Sequence, residues 1–322
     1  MVCTLPALEA IRAANPGAFI GYAVEDRAFD LVNNHPALDR VHLFERRRFT
    51  ALAKKFTSWR QAYSEISKYI HSFRGEQYDI ALDFQRNLKG GIHSVFSGAK
   101  LRVGFTTPTA LEGNQFFNQV HIDPSPAKHW VDKFIALAKY TGANPENAFY
   151  RLPESLESKE RIETFLREHN ISQFIAMHPT SGNFDPARRW QPERFGEVAK
   201  SIGSEYGLRI VVTFGPGEGE IAEKVVQSSD GHAVLFFETK SLLDLAELYK
   251  RAKFYIGCDT GPMHIAVATG LPCVVLFGSG DPDAYGPRSP GSKVIAKYAG
   301  GILQPMQELM PGDVMKTVRG MQ

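Results

Sequence analysis

Cysteine is scarce in this chain. Cys3, Cys258 and Cys273 are the only three in 322 residues, and no two form a Cys-x-x-Cys pair. An odd, widely spaced set argues against a disulfide framework and for reduced thiols in a cytosol. Long apolar runs are missing too: none approaches the roughly 18 residues of a membrane span. The opening, MVCTLPALEAIRAANP, lacks a basic leader, so no secretory signal is read there and a cytoplasmic location is expected. Charge of one sign is also absent. With 37 Lys+Arg against 35 Asp+Glu the net charge is +2, which gives no global case for nucleic acid. There is no short-period repeat and no low-complexity segment.

What is there is globular. Hydrophobic residues make up 43% and charged residues 22%, over a length sufficient for two separate cores. Apolar runs alternate with helical patterns along both halves, which predicts α/β architecture. Asn144 to Pro153 carries two prolines and no periodicity, so the expected domains are 1–150 and 151–322.

The most informative stretch is FYIGCDTGPMHIAVATGLPCVVLF, residues 254–277. It reads as strand, tight turn, short helix, strand. Asp259, Thr260 and Gly261 form the turn, and Pro262 is suited to the first helical turn because its missing N–H is unpaired there anyway. Gly270 is a left-handed cap and Pro272 enforces the stop. A helix that starts at the C-terminal edge of a parallel sheet aims free N–H groups and a positive dipole end at an anion, typically a phosphate. Thr260 adds a hydroxyl, Gly261 allows close approach, and His264 sits on the first turn. The bland reading is an ordinary capped crossover helix; Pro262 and His264 tip the balance toward an anion site. Cys258 beside the turn reads as a small buried filler.

This stretch, CDTGPMHIAVATGLPCVVLFG, resembles the C-terminal motif of the bacterial heptosyltransferases, glycosyltransferase family 9. The resemblance implies a GT-B fold: two Rossmann-like domains with parallel sheets facing a cleft. It also implies metal-independent, inverting transfer of heptose from ADP-heptose to the inner core of lipopolysaccharide, with no cofactor. Three further blocks carry it. Residues 78–90, YDIALDFQRNLKG, resemble the family's YDxxIDxQGxxKS loop, with Arg86 at the glycine and Gly90 at the serine. Residues 188–195, RRWQPERF, resemble KRWPxExF, and 215–218, GPGE, resembles GGPxE.

Donor binding is expected of Thr180, Ser181, Arg188, Glu218, Lys240, Asp259, Thr260, Gly261 and His264. Arg188 matches the phosphate-binding cation, Glu218 the ribose carboxylate and Lys240 the adenine pocket. Acceptor binding falls to Arg47, Lys54, Arg60, Gln85 and Lys89. The basic cluster from Arg46 to Arg60 reads either as a solvated helix face or as a patch for an anionic lipopolysaccharide acceptor or membrane surface. Peripheral contact with the inner membrane would follow from the second reading. Asp281-x-Asp283 invites a metal, but Pro282 and the flanking glycines favour a turn, so no metal site is expected.

The chain opens on a helix, where a doubly wound sheet opens on a central strand. In the family a strand and a Gly-Asp turn precede TLPAL, so the catalytic aspartate would fall just before Met1. The first strand of the N-terminal domain is therefore expected to be missing, through truncation or a misassigned start. Asp83 and His264 are then the candidates for catalytic assistance. Two alternatives stay open: a catalytically impaired nucleotide-sugar-binding paralogue, and a GT-B-fold nucleotide-sugar epimerase.

Overall fold

A computed structural model describes residues 1–53, 59–180 and 189–321. The chain divides into two units, Cys3–Pro153 and Glu154–Gln322.

Among the described residues, the first unit holds five short strands in two parallel sheets. β1 (Gly21–Glu25) pairs with β2 (Arg40–Phe44). β3 (Ile80–Leu82), β4 (Leu101–Phe105) and β5 (Val120–Ile122) form the second sheet. The helices are α1 (Leu5–Ala14), α2 (Arg46–Ala53), α3 (Trp59–Arg74), α4 (Leu88–Phe96) and α5 (Trp130–Ala138). Thr4 does not cap α1: its backbone is already helical, and its hydroxyl donates to the Met1 carbonyl at 2.6 Å. Residues 106–126 contain a 3-10 turn at Asn114–Phe117 and β5, whose three residues are too few to show a period in the sequence.

The second unit is built on a wholly parallel sheet that has six strands among the described residues. Its strands are β6 (Phe174–His178), β7 (Arg209–Val212), β8 (Ala233–Leu235), β9 (Tyr255–Cys258), β10 (Cys273–Leu276) and β11 (Lys293–Ile295), in the order β11-β10-β9-β6-β7-β8. This is a doubly wound sheet whose strand order reverses between β6 and β9, the place where such sheets bind ligands. Helices α6 (Leu156–Glu168), α7 (Pro192–Tyr206), α8 (Gly219–Gln227), α9 (Leu242–Tyr249), α10 (Gly261–Ala268), α11 (Pro282–Tyr285) and α12 (Pro311–Arg319) accompany it, with a hairpin of β12 (Tyr298–Ala299) and β13 (Ile302–Leu303).

The central strands are buried along their whole length, as parallel strands covered on both faces must be. Ile175, Met177, Ile210, Val212, Ile256, Val274 and Leu276 join Phe195, Val198 and Ile202 of α7 and Val314 and Val318 of α12 in one core. Local signals explain the helix ends. Pro192 opens α7 and Gly207, at φ +66°, closes it. Ser241 and Asp244 form a capping box at the start of α9. Trp190, from the block expected to bind ligand, is instead a core residue: it is fully buried and its indole N–H donates to the Leu309 carbonyl at 2.9 Å.

Candidate functional site

Register places the site. His178, the last residue of β6, lies beside Gly257 of β9. A Cβ on Gly257 would fall 2.8 Å from the His178 carbonyl and against the Tyr255 hydroxyl, so only glycine allows β6 and β9 to close up here. The segments leaving these two strands, and the turn after β7, supply the groups expected to bind the donor.

From β9 the chain turns through Asp259 into α10, which begins at Gly261 with Pro262 in its first turn. Thr260 occupies the cap position with extended backbone (φ −146°) but makes no side-chain capping bond; its hydroxyl points back to the Cys258 carbonyl at 3.4 Å. The first N–H groups of any helix lack intrahelical acceptors, which is what lets a helix start bind an anion. Gly270 closes the helix region at φ +81°. His264 Nε2 stands 3.7 Å from Asp259 Oδ1, with both side chains partly buried.

From β7 the chain turns through Gly215 to Gly217, the latter at φ +78°, and Glu218 stands at the cap of α8. Glu218 does not cap that helix. One carboxylate oxygen, Oε2, folds back to accept the Gly215 N–H at 2.9 Å and the Thr180 hydroxyl at 2.6 Å. Thr180 is therefore no free hydroxyl for a ligand, as its sequence position had suggested; it is buried and its proton goes to Glu218. Glu220 lies exposed inside α8. Lys240 is exposed just ahead of α9, where its backbone N–H donates to Asp244 Oδ2 at 3.1 Å. Ser181 and Arg188 lie outside the described residues, as does Lys54.

Sequence reasoning missed the layer beneath. His178 and Thr213 are buried polar residues at the ends of two apolar strands, and Nδ1 of His178 lies 2.9 Å from the Thr213 hydroxyl. Burial pulls the His178 pKa down to about 4, against a smaller opposing pull from Glu218, so the ring is neutral near pH 7. A polar side chain that ends an otherwise apolar strand was the available signal.

In the first unit Asp83, expected to assist catalysis, organises its own loop. It is buried; Oδ1 accepts the N–H groups of Gln85 at 2.9 Å and Arg86 at 3.3 Å, and Oδ2 accepts the Asn114 amide at 2.5 Å. Burial raises its pKa, partly offset by those bonds. Gln85 and Lys89 are exposed, with Lys89 Nζ 3.8 Å from Glu25. Arg47 and Arg60 are exposed too. Part of the basic cluster is balanced locally: Arg46 pairs with Glu25 at 3.2 Å, and Arg48 with Glu45 at 2.9 Å and Glu65 at 3.3 Å. Asp281 caps α11 by accepting the Asp283 N–H at 2.9 Å, which is the turn geometry its glycines suggested.

Comparison with known proteins places this arrangement. The family described as Glycosyltransferase family 9 (heptosyltransferase) matches residues 66–310. The chain is 27% identical over 296 residues to lipopolysaccharide heptosyltransferase 1 of Salmonella typhimurium, covering 88% of this chain and 86% of that one. Among solved structures it is similar to a family 9 glycosyl transferase from Veillonella parvula, with TM-score 0.81, 20% identity and coverage of 99% and 92%. It is also similar to the E. coli heptosyltransferase WaaC with ADP, with TM-score 0.77, 21% identity and coverage of 100% and 96%.

Proposed function

We propose that this chain, which belongs to glycosyltransferase family 9, transfers heptose from ADP-heptose to the inner core of lipopolysaccharide, with inversion and without a metal ion. Its place among heptosyltransferases of lipopolysaccharide core synthesis follows from the family match and the relatives' names. The finer reading is carried by one observation: a helix start at Thr260–Gly261, where the Thr260 side chain makes no capping bond, leaves the sheet at its switch point, on the strand next to His178.

The acceptor hydroxyl attacks the anomeric carbon as the bond to the ADP oxygen breaks. Negative charge then grows on the diphosphate and positive charge on the sugar ring. The α10 N–H groups, His264 and Arg188 stabilise the leaving diphosphate in place of a metal. Glu218 accepts the ribose hydroxyls. The acceptor hydroxyl gives up its proton to a base; the oxygens of Asp83 are engaged in its own loop. That a similar enzyme was solved with ADP supports the choice of nucleotide.

The test is ADP release from ADP-heptose in the presence of heptose-free core acceptor, with and without chelator. The proposal expects acceptor-dependent release that chelator does not abolish. Binding without release would fit the non-catalytic alternative, release or rearrangement without acceptor would fit the epimerase, and loss restored by a divalent cation would revive Asp281 and Asp283.

A further inference from the structure

Below Glu218 a line of buried polar groups runs through the sheet. The Tyr249 hydroxyl is 3.3 Å from that of Thr213. Thr213 is 2.9 Å from His178 Nδ1, and His178 Nε2 is 2.9 Å from the Thr180 hydroxyl. Thr180 donates to Glu218 Oε2 at 2.6 Å. Four of the five side chains, Tyr249, Thr213, His178 and Thr180, are buried.

The carboxylate fixes the direction of the line. An ionised carboxylate only accepts, so Thr180 gives its single proton to Glu218. The Thr180 oxygen must then accept from His178, which places the ring proton on Nε2. Nδ1 is left as an acceptor and takes the proton of Thr213, whose oxygen in turn accepts from Tyr249. The Met177 carbonyl, 3.2 Å from the Thr213 hydroxyl, is the more distant alternative for that proton. One neutral tautomer of His178 thus satisfies the whole line, and buried lines of this kind hold their members in place.

We infer that His178 is a positioning residue: through Thr180 it fixes the orientation in which Glu218 meets the vicinal hydroxyls of a nucleotide ribose, and so sets the preference for ribose over sugars lacking them. The inference rests on the reading of Glu218 as the ribose acceptor. It assigns His178 no contact with the ligand.

The test is calorimetric titration of ADP and of 2′,3′-dideoxy-ADP into the full chain and its variants. Wild type is expected to favour ADP by about tenfold or more, the scale of hydrogen bonds to a charged group. His178→Phe and Thr180→Val are each expected to weaken ADP by about tenfold while dideoxy-ADP stays within about twofold. His178→Gln, which keeps an N–H for Thr180, should retain most of the preference. Thr180→Val, the smaller change, carries the test if His178→Phe does not fold. Parallel loss of both ligands in a folded variant marks a merely structural role and overturns the inference. An unchanged preference overturns it as well. No preference in wild type would instead remove the ribose reading of Glu218, and the inference with it.

Discussion

His264 Nε2 stands 3.7 Å from Asp259 Oδ1, one residue on the turn into α10 and the other on its first turn. A carboxylate at that distance orients the imidazole. The pair sits at the start of a helix, the end whose N–H groups and dipole favour an anion, so under the proposed reaction His264 stands beside fixed N–H donors. Under the proposed reaction this matters most when the diphosphate leaves. His264→Ala is expected to lower kcat about a hundredfold, the scale of losing one such donor, with a smaller change in ADP affinity. Steady-state kinetics with a separate ADP titration checks this. An unchanged kcat would take His264 out of the mechanism.

Arg86 has left-handed backbone at φ +57°, and the resembling family pattern has glycine at that position. The guanidinium is held over the Trp130 ring at 4.3 Å and donates to the Thr109 carbonyl at 3.3 Å. Glycine would relieve about 1 kcal/mol of backbone cost and forfeit about 0.5–1 kcal/mol of stacking. Arg86→Gly should therefore leave stability within about 1 kcal/mol, whereas Arg86→Ala keeps the strain, loses the stacking and should cost more. Denaturant unfolding separates them, and equal stability of the two variants would contradict this account.

Gly257→Ala tests the close approach of β6 and β9. The added methyl meets the Tyr255 hydroxyl and the His178 carbonyl, at 2.8 Å from the latter. Overpacking of this kind costs about 1–3 kcal/mol. A lowered melting temperature and weaker ADP binding are expected together, because the displaced strands carry the site. An unchanged melting temperature would show that the strands have room to spare.

Acid should destabilise the fold through buried histidines. Burial lowers both His42 and His178 to about 4, below the ordinary value near 6.5 of an unfolded chain. Between those pH values the unfolded state binds more protons, so stability falls as pH drops through that window and is fully restored above it. Each group contributes a slope of up to about 1.4 kcal/mol per pH unit. Unfolding curves from pH 7 to 4 should show the loss, with a shallower slope in His178→Gln. The same slope in both proteins would mean that His178 does not carry the effect.

Much of the second unit was legible because its signals are local. Pro192, Ser241 and Gly270 mark helix ends by their own backbone chemistry, and the apolar runs of β6, β9 and β10 read as buried strands without help. The role of Thr180 was not legible, since its partners His178 and Glu218 are brought together only by the pairing of β6 with β7. Asp83 misled for the same reason: a carboxylate ending a strand looks reactive until Asn114, far along the chain, is seen to occupy it. In the first unit, strands of three residues such as β3 and β5 offer too little pattern to place, and their partners decide them.

The most direct measurement is a crystal structure of the chain with ADP bound. The account predicts diphosphate oxygens within hydrogen-bond reach of the Gly261 and Met263 N–H groups and the ribose hydroxyls on Glu218. A nucleotide seated away from the start of α10, or a helix end filled by protein atoms when ADP is bound, would contradict it.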